Sequence, residues 1–537
     1  MEHVSHSLVD RLSTDHLVRQ WWEGRWPASG AGFEAPKQPN WTDLHALRDA
    51  SGTGQADRAM LVEGLEAQYQ SAGMQRPARF DDLADSAART VTTGHQLCLA
   101  TGPAYTYYKL LTAVVLAERL EARWGTPVIP VFWMASEDHD FEEVSALWDG
   151  AEWHRWTPTA SAPGGAVGRM STEGLSGYIQ DWGGQAGVGP EVIQRLQSAA
   201  LGTLSQAMRR WIHHWFGPDR VVVVDGDEPT FKAAFRSPFQ AEWTEGVLAR
   251  EVERVNAHLG EMGHAPQVHV RPLNLFHLQA ESRVRLVQEG PQGWRAGERQ
   301  WSGLDAVRHQ LDVAPQELSP NALFRPLYQS WLLPDVAVVG GLAEVAYWLQ
   351  LSTAYGAIGL VQPALVPRDG GWLVTAEQAQ EMSRQGISAT DLGQPVEAWE
   401  QPWVDRRHPP HAGPLRTALQ EALPEVESAF GAVDPSLTGS VRATLAKAEK
   451  LLDKLDQQGR RAIRRQGESE LNALRALHAG LHPEGTPQER QCNLHALLAA
   501  WGSAPGEVQL AMESAFRKGH DGEKWTPRMH VWTESSS

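Results

Sequence analysis

The chain has 537 residues, too many for one compact domain, and predicts two or three folded units. Its formal charge of −17 argues against a general phosphate-backbone binder and against docking on an anionic membrane, because both depend on a surplus of Lys and Arg. Two cysteines, Cys98 and Cys492, exclude a disulfide framework and a cysteine-rich zinc site.

In chain order, residues 1–80 read as helix and loop, and Met1 to Arg25 shows no apolar signal core. Arg89-Thr90-Val91-Thr92 reads as a short strand broken by Gly94, followed by a helix from about Pro103 to Trp124. Leu110, Leu111, Val114, Val115 and Ala117 give that helix a broad apolar face. Thr101 or Gly102 can cap it, with Pro103 in the first turn. The unbroken apolar run from Pro127 to Met134 suits a strand buried on both faces of a parallel sheet. Further strands are expected at Arg220–Val224, Val336–Val339 and Leu360–Val366, with a helix from about Ala343. Strands alternating with helices predict a doubly wound α/β core over residues 1–370.

Residues 150–215 and 232–330 look like insertions into that core. The first holds a loop at Pro163–Arg169 and a helix through Trp211 and Trp215. The second holds a helix near Gln240–Leu259 and strand-like pieces around Val268–Val270 and Arg283–Val287. Residues 369–415 read as loop-rich. From Leu415 the chain is helical, and Val441, Leu445, Ala448, Leu452 and Leu455 follow the spacing of a coiled-coil seam. A helical domain over 371–490 and a returning helix and tail over 491–537 complete the expected organisation. Arg460, Arg461, Arg464 and Arg465 read as a solvated helix face, and the tail from Glu534 to Ser537 as frayed. No apolar run is long enough to span a bilayer, so a soluble cytoplasmic protein is expected.

Ligands of open parallel sheets sit beyond the carboxyl ends of the strands. There the sequence places Thr93, Gly94, His95 and Gln96; then Ser136, Glu137, Asp138, His139 and Asp140; then Asp225 and Asp227; then Gly340, Gly341 and Glu344. Thr101-Gly102-Pro103 at a helix start offers free amides to phosphate or carboxylate, and Lys109, two turns in, adds charge. A plain turn and cap explains that stretch equally well, since neither a Walker loop nor a full G-x-G-x-x-G is present.

Three carboxylates and an imidazole at Glu137-Asp138-His139-Asp140 suit an ammonium group, a proton in transfer, or a magnesium ion shared with phosphate. The competing explanation is an acidic first turn of a helix. Tyr347 and Trp348 follow the Gly340-Gly341 turn and can wall a pocket. Asn321, Arg325 and Gln329 share one helix face, either an anion site or a solvated surface. His269 and His277 read as ordinary strand residues and Cys98 as core.

Several of these pieces resemble, in order along the chain, the BshC family of cysteine ligases of bacillithiol biosynthesis. They are Thr93-Gly94-His95-Gln96, Thr101-Gly102-Pro103 through Lys109, Pro130–Trp133 with Glu137–Asp140, Val167-Gly168-Arg169, Pro266-Gln267-Val268, Ser319-Pro320-Asn321 with Arg325-Pro326-Leu327, Gly340-Gly341 with Glu344-Ala346-Tyr347-Trp348, and Pro483-Gly485 with Gln488-Glu489-Arg490. His95 and Leu342-Ala343 depart from the family pattern. The resemblance implies a Rossmann-like core, a C-terminal coiled coil forming a homodimer, and addition of cysteine to glucosamine-malate as an amide.

Amide formation from a carboxylate implies ATP as co-substrate. On this reading His95 and Lys109 steady a phosphate or oxyanion, Glu137 or Asp138 holds the cysteine ammonium, and His139 or Asp140 takes a proton. Two other readings are a nucleotidyl transferase on the same scaffold and a non-catalytic nucleotide-binding scaffold protein.

Overall fold

The computed structural model describes the chain except residues 14–15, 27–34, 51–52, 160–163, 408, 502–503, 521, 523 and 535–537. Pro163 and residues 535–537 of the tail therefore lie outside the described residues, while Glu534, expected to be frayed, donates its N–H to the Val374 carbonyl at 3.0 Å. Two compact units emerge: Met1–Thr375 together with Glu489–Ser535, and Ala376–Gln488.

The first unit is organised by a five-stranded sheet: β1 (Arg89–His95), β2 (Val128–Met134), β3 (Val222–Asp225), β4 (Asp335–Gly340) and β5 (Ala364–Pro367). The spatial order is β5-β4-β1-β2-β3, and every pair is parallel. Successive side chains point to opposite faces of a strand, and here the two faces enter two separate cores. Along β2, Val128, Phe132 and Met134 join one apolar cluster, while Ile129, Val131 and Trp133 join the other. This double burial explains why β2 reads as continuous apolar sequence.

The five core helices used below are α1 (Tyr105–Trp124), α2 (Leu204–Phe216), α3 (Pro229–Ala234), α4 (Arg325–Leu332) and α5 (Leu342–Leu349). The core is Rossmann-like and doubly wound, as expected. The chain leaves β1 toward β2 and β3 on one side, then returns to place β4 on the other. The crevice between the ends of β1 and β4 is thus the topological switch point, where open α/β sheets bind ligands.

A second sheet of three strands was not legible in the sequence: Glu2–Ser7 pairs antiparallel with Arg528–Thr533, which pairs parallel with Gly370–Val374. The expected helix at Gln240–Leu259 is two helices, Arg236–Glu245 and Val247–Glu261. They part at Gly246, whose φ of +58° is left-handed and ends the first helix. Val268–Val270 forms no strand.

The second unit is helical throughout. Residues 376–405, expected as loop, hold helices Ala376–Gln385 and Val396–Asp405; Met382 is the only buried side chain of the former, so its polar composition hides it. α6 (Gly413–Val433) and α7 (Leu437–Gln466) form an antiparallel hairpin tied by Arg416–Asp453 at 2.7 Å and Arg442–Glu427 at 2.6 Å. Leu452 is buried, with Val441, Leu445 and Ala448 half-buried, whereas Leu455 turns outward. The arginine face is less solvated than expected: Arg460 pairs with Asp405 at 2.7 Å and Arg464 approaches Glu400 at 3.6 Å. Among the described residues no helix is long and apolar enough to cross a membrane.

Candidate active site

A cleft of about 690 Å³ opens at the switch point, a size suited to small molecules. Of the sequence-predicted residues, Gly94, His95, Gln96, Lys109, Glu137, Asp138, Asn321, Arg325, Gly341, Glu344 and Tyr347 line it. Lys109 spans the switch point. Its ammonium donates to the Gly94 carbonyl at 3.0 Å and pairs with Glu344 at 2.5 Å. Glu344 in turn accepts from the Gly341 N–H at 2.9 Å, so the start of α5 is capped from within. Burial works against the Lys109 charge and lowers its pKa, with Glu344 opposing the shift.

His95 ends β1 and meets the Tyr105 hydroxyl at 3.0 Å. Burial, then the nearby Lys109 and Arg368, push its pKa well below the usual value, so the imidazole is neutral at physiological pH. A neutral ring can donate or accept a proton but cannot supply positive charge.

Glu137 and Asp138 stand beyond β2. Asp138 accepts from the Gln96 amide at 2.6 Å and faces Arg283 at 3.3 Å. Burial disfavours its charge, but Arg283, Gln96 and the His139 N–H outweigh burial and hold the carboxyl below the usual range. Arg283 is itself fixed by Ser319 Oγ at 3.0 Å and the Pro320 carbonyl at 2.8 Å, with its guanidinium 4.0 Å over the Phe276 ring.

Other predicted residues lie off the cleft. The Thr93 hydroxyl donates to the Val339 carbonyl at 2.9 Å and ties β1 to β4. A Cβ on Gly340 would stand 2.8 Å from the Trp348 ring, so that glycine serves close packing. Asp140 caps the short helix Phe141–Val144, and His139 is exposed beside Arg283. The Gly102 N–H is not free, donating to the Leu99 carbonyl at 2.8 Å, and Ala100, Thr101 and Gly102 have φ of +47°, +71° and +69°, a strained turn. Asn493 clamps it by donating to the Ala100 and Gly102 carbonyls at 2.9 and 2.8 Å. Asp225 and Asp227 open instead on a second cavity, of about 440 Å³.

The cleft also gathers residues that the strand-end reading did not single out: Tyr105, Glu143, Arg271, Arg285, Arg368 and Arg490, besides Arg283. His269, expected as an ordinary strand residue, lines it from a segment that forms no strand. Arg368 follows the fifth strand and was open to the same strand-end rule. Arg271, Arg283 and Arg285 come from an insertion whose spacing carries no sign of the cleft. In all, seven cationic side chains line the wall against four carboxylates. Lys109 and Arg368 lie deep, while Arg271, Arg285 and Arg490 stand exposed at the rim.

Comparison with known proteins matches residues 11–369 to the N-terminal Rossmann-like domain of bacillithiol biosynthesis BshC, and residues 371–506 to its C-terminal coiled-coil domain. The chain belongs to the BshC family. Family members named "Putative cysteine ligase BshC" include proteins of Cytophaga hutchinsonii, 30% identical over 473 residues (86% of this chain, 88% of that one); Salinibacter ruber, 32% identical over 473 residues (84% and 85%); and Geobacillus thermodenitrificans, 29% identical over 480 residues (83% and 86%). In this BshC-family chain the matched Rossmann-like region contains nearly the whole cleft wall, and Arg490 alone comes from the later region.

Proposed function

We propose that the chain is a ligase that joins cysteine to glucosamine-malate through an amide bond, with ATP as co-substrate, in the cytoplasm. The supporting observation is the charge pattern of the switch-point cleft: seven cations concentrate there in a chain of formal charge −17, around the two carboxylates Glu137 and Asp138. Cations suit the malate carboxylates, the cysteine carboxylate and nucleotide phosphates. Glu137 and Asp138 suit the cysteine ammonium.

A free carboxylate does not react with an amine at neutral pH; ATP would transfer its phosphoryl or adenylyl group to the cysteine carboxylate, releasing ADP or pyrophosphate and leaving an acylating agent. The sugar amine then forms the C–N bond, phosphate or AMP departs, and the amine loses one proton. Arg271, Arg285 and Arg490 at the rim would hold the nucleotide phosphates. Glu143 would help to hold any Mg²⁺ accompanying them. Lys109 and Arg325 would face the oxyanion of the tetrahedral intermediate, and neutral His95 would accept the amine proton. The test is mass spectrometry of the purified protein with ATP, cysteine and glucosamine-malate. Bacillithiol with AMP or ADP is the expected result; nucleotide turnover without cysteine consumption would refute the reading.

The second unit, in this reading, forms a homodimer. Leu451 and Leu455, one turn apart on α7, expose 63% and 56% of their surface, apolar side chains of the kind that an interface covers. Analytical ultracentrifugation is expected to give a dimer, and the double substitution Leu451→Glu/Leu455→Glu a monomer. A monomeric wild type would refute this assembly.

A further inference from the structure

We propose that Lys232, which does not line the cleft, is a positioning residue that keeps Glu137 ionised and fixed in the cleft wall. The inference rests on the reading of Glu137 as a carboxylate for the cysteine ammonium, and deepens it.

Lys232 lies on α3 between Phe231 and Ala233, with no solvent exposure. An ammonium group has three N–H bonds. Here two of them donate, to Asp227 at 2.7 Å and to the Gln316 carbonyl at 3.1 Å, and the ammonium forms an ion pair with Glu137 at 2.7 Å. With two carboxylates and a carbonyl around it and no solvent exposure, the group is closed to a substrate. Asp227 has a second cation: Arg169 grips both its oxygens, at 2.5 and 2.8 Å. The charge of Asp227 is thereby shared with Arg169, and Lys232 remains for Glu137.

Glu137 needs such a partner. It is 7% exposed, and a carboxylate so buried otherwise takes up a proton. From the surrounding elements it is faced by Lys232 and Asp227, by Arg283, by Arg169 and by the Tyr328 hydroxyl. Burial raises its pKa, Lys232 pulls it down, and Asp227 pushes it up. Removing Lys232 and removing Asp227 must therefore act in opposite directions. A merely structural salt bridge would show the same reversal but leave KM for cysteine unmoved.

The experiment follows the Glu137 carboxyl by ¹³C NMR of the full chain labelled at the glutamate carboxyl, with the resonance assigned by its loss in Glu137→Gln. Lys232→Met is expected to raise the titration midpoint by about one pH unit or more. Asp227→Asn is expected to lower it, and Lys232→Arg to leave it near wild type. In parallel, KM for cysteine at pH 7 should rise about tenfold in Lys232→Met, with a smaller change in kcat.

A folded Lys232→Met with an unmoved midpoint overturns the proposal, as does an upward shift in Asp227→Asn. If Lys232→Met does not fold, the sign of the Asp227→Asn shift decides. A raised midpoint with an unaltered KM upholds the grip of Lys232 on Glu137 and instead refutes the ammonium role assigned to Glu137.

Discussion

Replacing Asp138 with asparagine is expected to lower kcat/KM for cysteine addition about 100-fold, with little loss of thermal stability. The change is isosteric, and the amide oxygen can still accept from the His139 N–H while the amide nitrogen no longer accepts from the Gln96 amide. It removes the negative charge that faces Arg283 at 3.3 Å and leaves that half-buried guanidinium uncompensated in the cleft wall. Arg283 would then compete with the cysteine ammonium for Glu137 and repel it. His139→Ala, by contrast, should change kcat/KM by no more than a few-fold, because His139 stands exposed outside the cleft lining. Steady-state kinetics of the two variants side by side make the check, and an Asp138→Asn enzyme with wild-type kcat/KM would remove Asp138 from the reaction.

The second large effect is on stability. Asp335 begins β4 and is fully buried. One oxygen accepts from the hydroxyls of Thr90, at 2.6 Å, and Thr92. The other accepts from the Gln329 amide at 2.9 Å and Ser330 Oγ at 3.1 Å. Asp335→Ala strands four buried donors and should cost about 4 kcal/mol at pH 4. The penalty should shrink as pH rises. Burial pushes the Asp335 pKa from 3.8 up to about 6 despite those four hydrogen bonds. Between those values the native state holds a proton that the unfolded chain has released, so wild-type stability from this group is complete below about pH 4 and falls as pH rises through 6. That loss reaches about 3 kcal/mol. Urea unfolding of both proteins at pH 4 and pH 7 tests the sign; a penalty that grows with pH would contradict it.

The same carboxylate shows where sequence reading succeeds and where it stops. Strands such as Val128–Met134 declare themselves because burial on both faces imposes unbroken apolar sequence, and turn residues such as Gly94 and Gly341 follow from where a parallel sheet must end. That local grammar located the strand ends and hence Gly94, His95, Glu137, Asp138 and Glu344 on the cleft wall. It left Gly340 and Gly102 open because glycine answers equally to close packing, a strained turn or a ligand, and only the neighbours Trp348 and Asn493 decide. Arg283, Arg285 and Arg271 were invisible for a different reason: their place at the cleft depends on how an insertion folds back, which no spacing encodes. Lys232 did leave a trace, a lone charge among Phe231, Ala233, Ala234 and Phe235, where burial without a partner would be prohibitive.

The three-stranded sheet joining Glu2–Ser7, Gly370–Val374 and Arg528–Thr533 bears on biosynthesis. A ribosome delivers residues 2–7 more than five hundred positions before the strand they pair with. Arg490 and the Glu489 carboxylate that grips Arg368 at 2.6 Å also emerge only after residues 376–488. The nascent first unit therefore carries an unpaired strand edge and an open cleft wall through most of translation. The first unit thus closes only after the helical second unit has been made, and until then it is exposed to chaperones and proteases in a way that the second unit, built from neighbours in sequence, is not.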